Sequence, residues 1–236
     1  MLFAGNFLYT LCYPFKMVTR TKHGLFLQDT LCGLLTSKYD VHIEKSEIIK
    51  HALADYNGVT VFSSHTSFKD ILATDYALRS MGERFPVFVL RNDLRFIISR
   101  SITQKLLVDD CKGIGLDQKT MHLSEVMPKL KEAYSDNHMV VIYPGATRKG
   151  GYLNGLIPTS VSLFMNQIKR HGFKKQAFVP LAVRYLGTDI TLCFGGVLSL
   201  DAHSNARETG NEMYERILTC AQHPKEVIAS YIKAHS

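Results

Sequence analysis

The sequence predicts a single α/β domain with a largely parallel central sheet flanked by helices. From Tyr39 onward, short apolar runs alternate with longer segments of helical length, the order in which strand–helix–strand units are built. Several of those runs are apolar on consecutive positions, as strands covered on both faces tend to be. The 236 residues contain no internal repeat and no linker long enough to divide them, and a 46% hydrophobic composition without low-complexity tracts excludes a disordered class.

Residues 1–38 read as a helical segment lying at a membrane interface. Met1–Phe15 carries no charged side chain, and Lys16, Arg20 and Lys22 follow it directly. As a helix this stretch would reach about 22 Å, short of the roughly 30 Å hydrocarbon core, so it is not expected to span a bilayer by itself. With no basic region before it and no small-residue cleavage site after it, it fits a signal peptide poorly. Aromatics beside a basic flank suit the interface instead, and the apolar patch Gly24–Leu35 could form the other arm of a helical hairpin. A plain N-terminal helix packed on the domain is the alternative.

Residues 39–236 form the globular domain. Strands are expected at Val41–Ile43, Val59–Ser63, Pro86–Leu90, Met139–Tyr143, Ala177–Val183 and Ile190–Phe194. Between them fall helix candidates at Ser46–Tyr56, Ser67–Met81, Asp93–Leu107, Ser124–Ser135 and Thr159–Arg170, with Ala206–Ala221 and Lys225–Ala234 closing the chain.

Charge and cysteine content narrow the partners. Between Tyr143 and Thr188 stand seven basic residues (Arg148, Lys149, Lys169, Arg170, Lys174, Lys175, Arg184) and no acidic one, so this window alone holds the whole excess of +7. Such a window suits an anionic partner such as a phosphorylated substrate, an acidic carrier or an anionic membrane; a solvated basic face is the other reading of Lys169–Lys175. Nucleic acid is not expected, because no aromatic–basic interleaving or recognised module accompanies the charge. Five cysteines without a Cys-x-x-Cys pair point to buried thiols in a reduced compartment and against zinc.

Two stretches carry chemistry. In VTVFSSHTSFKD, Val59 to Asp70, a strand-like run ends in hydroxyl residues and is followed by His65, with Asp70 five positions on in the first turn of the next helix. His is suited to removing a proton from an alcohol near neutral pH, and a carboxylate on its other ring N–H fixes the tautomer. By chance alone, about every second chain of this composition would hold such a spacing, and Ser67 as a helix cap with Asp70 complementing the helix dipole accounts for the same residues. The second stretch, YPGATRKGGYLNG from Tyr143, follows another expected strand. Its glycines allow close backbone approach to a ligand, and Thr147, Arg148 and Lys149 suit phosphate oxygens; a mobile, solvated loop is its other reading. It is not a P-loop, since Gly151 and Tyr152 stand where Lys and Ser/Thr are required. No Gly-x-Ser-x-Gly elbow, His-Glu-x-x-His pair or third glycine after Gly113 and Gly115 is present.

With these stretches placed, the chain resembles the glycerolipid acyltransferase family, of the lysophosphatidic-acid and glycerol-3-phosphate acyltransferase type. The family's Asn-His-x-x-x-x-Asp block is matched by Ser64, His65 and Asp70, with Ser for Asn. Its second block, a basic residue before Glu-Leu, is similar to Arg91–Leu94, with Asp93 for Glu. The Phe-Pro-Glu-Gly-Thr-Arg block appears as Tyr143–Arg148, and a Val-Pro strand as Val179-Pro180-Leu181. The four come in the family's order. Gly145 occupies the place of the family's Glu and Ala146 that of its Gly, and Gln118 replaces a usual Arg.

The resemblance implies acyl transfer from acyl-CoA or an acyl-carrier protein to a hydroxyl of a lysophospholipid or related glycerolipid, with no cofactor or metal. It implies His65 as general base and Asp70 as its orienting carboxylate. Arg91, Gly145, Thr147, Arg148 and Lys149 would bind substrate. Membrane lipids are the implied partners, with monotopic or peripheral association and the active site on the cytoplasmic side. The departure at Gly145 keeps a second expectation open, a catalytically silent lipid-binding or regulatory protein on the same scaffold.

Overall fold

The run Gly58–Ser63 is buried along its whole length, and its side chains divide by the two-residue period of a strand. Val59 and Val61 enter one core, while Phe62 enters the other. The computed structural model describes residues 22–67, 69–81, 86–91, 113–116, 123–145, 155–199, 205–222 and 233. In chain order the elements are α1 (Lys22–Lys38), β1 (Asp40–Glu44), α2 (Ser46–Asp55), β2 (Gly58–Ser63), α3 (Lys69–Ser80), β3 (Pro86–Arg91) and β4 (Ile114–Leu116). There follow α4 (Leu123–Ser135), β5 (Met139–Ile142), α5 (Leu156–Arg170), β6 (Gln176–Leu186), β7 (Asp189–Phe194), β8 (Leu198–Ser199) and α6 (Ala206–Ala221).

The sheet runs β1-β7-β6-β2-β5-β3-β4, with β8 beside β6. Pairings of β2 with β5 and β6, of β3 with β4 and β5, and of β1 with β7 are parallel. Among the described residues, only β6 with β7 and β6 with β8 are antiparallel. The reversal is a two-residue hairpin in which Gly187 has a φ of 60°, a conformation glycine adopts without a Cβ penalty. All six expected strands are present within two or three residues at either end. The short strands β4 and β8 carry too few residues to show a period and were not expected. The helices expected at 93–107 and, Lys233 apart, 225–234 lie outside the described residues, as does Met1–Phe15.

Helices cover both faces. One core joins Leu35 of α1, Ile49 and Leu53 of α2 and Ile71 and Leu78 of α3 to Val59, Val61, Val179 and Leu192. The other joins Met127 and Leu130 of α4, Phe164 and Met165 of α5 and Met213 and Ile217 of α6 to Phe62, Val140 and Phe178. Phe62 centres the second layer, edge-on to Phe164 at 5.6 Å and stacked with Phe178 at 6.0 Å. Among the described residues, no helix is long and apolar enough to cross a membrane.

Helix α1 packs on α3, and the contact has a polar centre. Arg79 bridges Asp29 of α1 and Asp75 of its own helix, and Cys32 Sγ lies 3.6 Å from Asp75 Oδ2. Burial, with Asp75 beside it, pushes the Cys32 thiol up to about 12. Of the patch Gly24–Leu35, Cys32 and Leu35 are buried, while Leu34 stays 63% exposed.

On the opposite face α6 meets α5 at Gly210, where a Cβ would lie 2.6 Å from the Pro158 carbonyl oxygen and press on Ser162 Oγ. Ala for Gly in an open helix stabilises by roughly 0.5–1 kcal/mol. Here the sign reverses: Gly210→Ala should destabilise by about 1–3 kcal/mol through overpacking, seen as a fall of several degrees in Tm. A rise in Tm in thermal unfolding would show that α5 and α6 do not cross at this position.

Candidate functional site

The pairing of β2 with β6 extends one residue beyond β2. Ser64 N–H donates to the Leu181 carbonyl at 2.9 Å, and Ser64 Oγ accepts from Val183 N–H at 3.2 Å. The hydroxyl thus serves a backbone donor of β6 at the point where the chain leaves the sheet. That fixes the place from which His65 projects.

Helix α3 begins at Lys69. Ser67 Oγ accepts from Lys69 N–H at 3.3 Å, and Asp70 Oδ2 reaches back to the N–H groups of Ser67 at 2.8 Å and Thr66 at 2.5 Å. This is a capping-box arrangement with Asp in the acidic position. The same Oδ2 lies 3.3 Å from His65 Nδ1, and Oδ1 accepts the Tyr185 hydroxyl from β6. Helix capping and contact with the His ring are therefore not alternatives, because one carboxylate does both. Asp70 has no exposed surface, whereas the His65 side chain keeps 18%.

Tyr143, immediately after β5, packs its ring on His65 with centroids 4.7 Å apart and planes tilted by 41°. Burial and the Asp70 charge hold its hydroxyl well above the usual phenol range, so it is a neutral wall. With Nδ1 turned to Asp70, Nε2 is the ring nitrogen left for another group. On the other side of Asp70, Lys69 Nζ sits 4.2 Å from the Tyr39 ring centroid and 5.7 Å from that of Tyr185.

Parallel register brings the other expected residues to this edge in part. Phe62 pairs with Ile142 and Ile142 with Val89, so the ends of β2, β5 and β3 are level. Gly145 lies in the buried turn that follows β5, two residues after Tyr143. Arg91 ends β3 at the same edge, described by its backbone only. Thr147, Arg148 and Lys149 lie outside the described residues. The basic window is not one patch. Arg184 is buried, paired with Glu44 and donating to the Gln222 carbonyl at 2.7 Å. Lys169 and Arg170 end α5, and Lys174 and Lys175 precede β6, at the opposite edge of the sheet from His65. Among the described residues, no group of three or more His, Cys, Asp or Glu is placed to hold a metal.

Sequence reasoning missed Tyr185 and gave Tyr143 no role. Tyr185 is 115 residues from Asp70, and no spacing rule joins them. Tyr143 could have been found, since it is the first residue after a strand whose end falls beside that of β2.

No family model matches the chain, and no curated protein does. Among solved structures it is similar to the 1-acyl-sn-glycerophosphate (LPA) acyltransferase PlsC from Thermotoga maritima, at 16% identity over 86% of this chain and 83% of that one, with a TM-score of 0.49.

Asp70→Asn keeps the volume but turns one acceptor into a donor facing donors. It should lower stability by about 1–3 kcal/mol, the cost of leaving buried donors unpaired. Urea unfolding should show a lower midpoint at unchanged slope. An unaltered midpoint would mean that the carboxylate does not cap α3.

Proposed function

We propose that the chain is an O-acyltransferase, moving a fatty acyl group from acyl-CoA or an acyl-carrier protein to a hydroxyl of a lysophospholipid or related glycerolipid. The observation that carries this reading is the partly exposed His65, held at Nδ1 by a fully buried carboxylate at the edge where β2, β3 and β5 end. Such edges of open α/β sheets are where ligands collect.

In the proposed step His65 Nε2 takes the proton of the acceptor hydroxyl as its oxygen attacks the thioester carbonyl. The tetrahedral intermediate collapses with cleavage of the C–S bond, and the imidazolium returns the proton to the departing thiolate. Asp70 keeps Nδ1 protonated and offsets the charge formed on the ring. The products are the ester and the free thiol, with no acyl-enzyme required. Arg91, Thr147 and Arg148 are assigned to phosphate, with Lys149 in support, and Gly145 to the acceptor pocket. The proposed setting is a membrane surface contacted by residues 1–38, with the site on the cytoplasmic side.

Gly145 motivates a second reading, a silent lipid-binding protein, because the buried turn after β5 has no carboxylate at that position. An acceptor screen with both donor types and products identified by mass separates the two. His65→Ala should lose roughly 10²–10⁴ in rate with its fold unchanged. Equal turnover in that variant removes His65 from the mechanism, and vesicle binding without transfer to any acceptor favours the silent protein. Arg148→Ala should chiefly raise the KM for a phosphorylated acceptor; an unchanged KM would place this Arg elsewhere.

A further inference from the structure

Asp70 must present one particular oxygen to His65, and the bonds around it are divided unequally. Oδ2 receives Thr66 N–H, Ser67 N–H and His65 Nδ1, all from the turn between β2 and α3. Oδ1 receives the hydroxyl of Tyr185, which arrives from β6 in the sheet. The local bonds move with the turn, so they cannot orient that turn against the rest of the protein. Tyr185 can.

We infer that Tyr185 is a positioning residue for the His65–Asp70 pair: its hydroxyl pins Oδ1 to the sheet and so fixes Oδ2 toward Nδ1. This rests on the reading of His65 as general base but can be tested without turnover. Loss of the hydroxyl removes a hydrogen bond from a carboxylate that water does not reach. It loosens the orientation of the carboxylate and, because Thr66 and Ser67 N–H still hold Oδ2 beside Nδ1, concentrates negative charge there. The charged form of the ring is then favoured. Other ionisable groups near the pair are Tyr143 after β5, Lys69 and Asp75 of α3, and Tyr39 before β1, which Lys69 covers. Tyr185→Phe keeps the ring that Lys69 faces.

The experiment follows the His65 ring by NMR through a pH titration of the full chain, in the parent protein and in Tyr185→Phe, with His65→Ala to assign the signal. The Phe variant should titrate at higher pH than the parent. In acyl transfer its kcat should fall about tenfold or more, the order expected for losing one hydrogen bond to a charged group. The acidic limb of its rate profile should move up by the same amount as the ring titration, with KM little changed. A tyrosine that served only to pack the fold would lower Tm and leave both midpoints where they were, and that result overturns the inference. If the Phe variant does not fold, 3-fluorotyrosine at position 185 keeps the ring and strengthens the donor, and His65 should then titrate at lower pH; no shift overturns the inference equally. A parent that transfers no acyl group, but whose ring titration still responds at position 185, contradicts the enzymatic reading and leaves the positioning role standing.

Discussion

The structure around the candidate site depends on one buried carboxylate. Taking a carboxylate out of water carries a penalty of several kcal/mol unless partners replace the lost hydration. Asp70 has them: two backbone N–H groups, a phenol and an imidazole, drawn from the turn after β2 and from β6. The same bonds begin α3, seat the turn against the sheet and fix the tautomer of His65. Any change that loosens Asp70 therefore disturbs secondary structure, tertiary contact and the seat of the His65 ring together.

Sheet register supplies the second constraint. Parallel alignment of β2, β5 and β3 leaves their carboxyl ends level, so turns distant in sequence become neighbours. Strand β6 is longer than its neighbours and continues past the end of β2 to Leu186, which places Tyr185 beside the carboxylate. The hairpin to β7 then reverses the direction of the last strands. Because β1 pairs in parallel with β7, Asp40 starts level with Asp189, opposite Leu186. The C-terminal end of α1 and Tyr39 thus arrive at the same edge as His65. A helix assigned from sequence to the membrane interface is joined through Arg79 and Asp75 to α3, the helix that carries Asp70.

Local patterns made much of this legible. Most of the strands were readable because they bury consecutive apolar residues, as Met139–Val141 does between two helical layers, while β1 half-buries Val41 and Ile43 in alternation. His65 and Asp70 were readable because their contact spans a single turn. Two kinds of feature were not. Strands β4 and β8 are too short to display a period, and they exist because a neighbouring strand offers an edge. The contact of Tyr185 with Asp70 depends on how far β6 extends beyond β2, a length no local pattern encodes. The basic window erred in the opposite direction: seven residues close in sequence were read together, and a strand's length separates those that are described.

That separation bears on how a phosphate would be recognised. The six residues of β2 extend about 20 Å at 3.3 Å per residue, more than twice the screening length of roughly 8 Å at physiological ionic strength. Lys169–Lys175, at the far edge, therefore add little to the potential felt beside His65. Arg184 adds little as well, since Glu44 already neutralises it. Among the described side chains, the cations on this edge are Lys69, and Lys38 at 5.9 Å from the Tyr39 ring, with Arg91 ending β3 at the same edge. A net charge of +7 is thus weak evidence for an anionic substrate. The stronger argument is positional: a few cations act on a phosphate only when the sheet edge that holds the His ring also holds them.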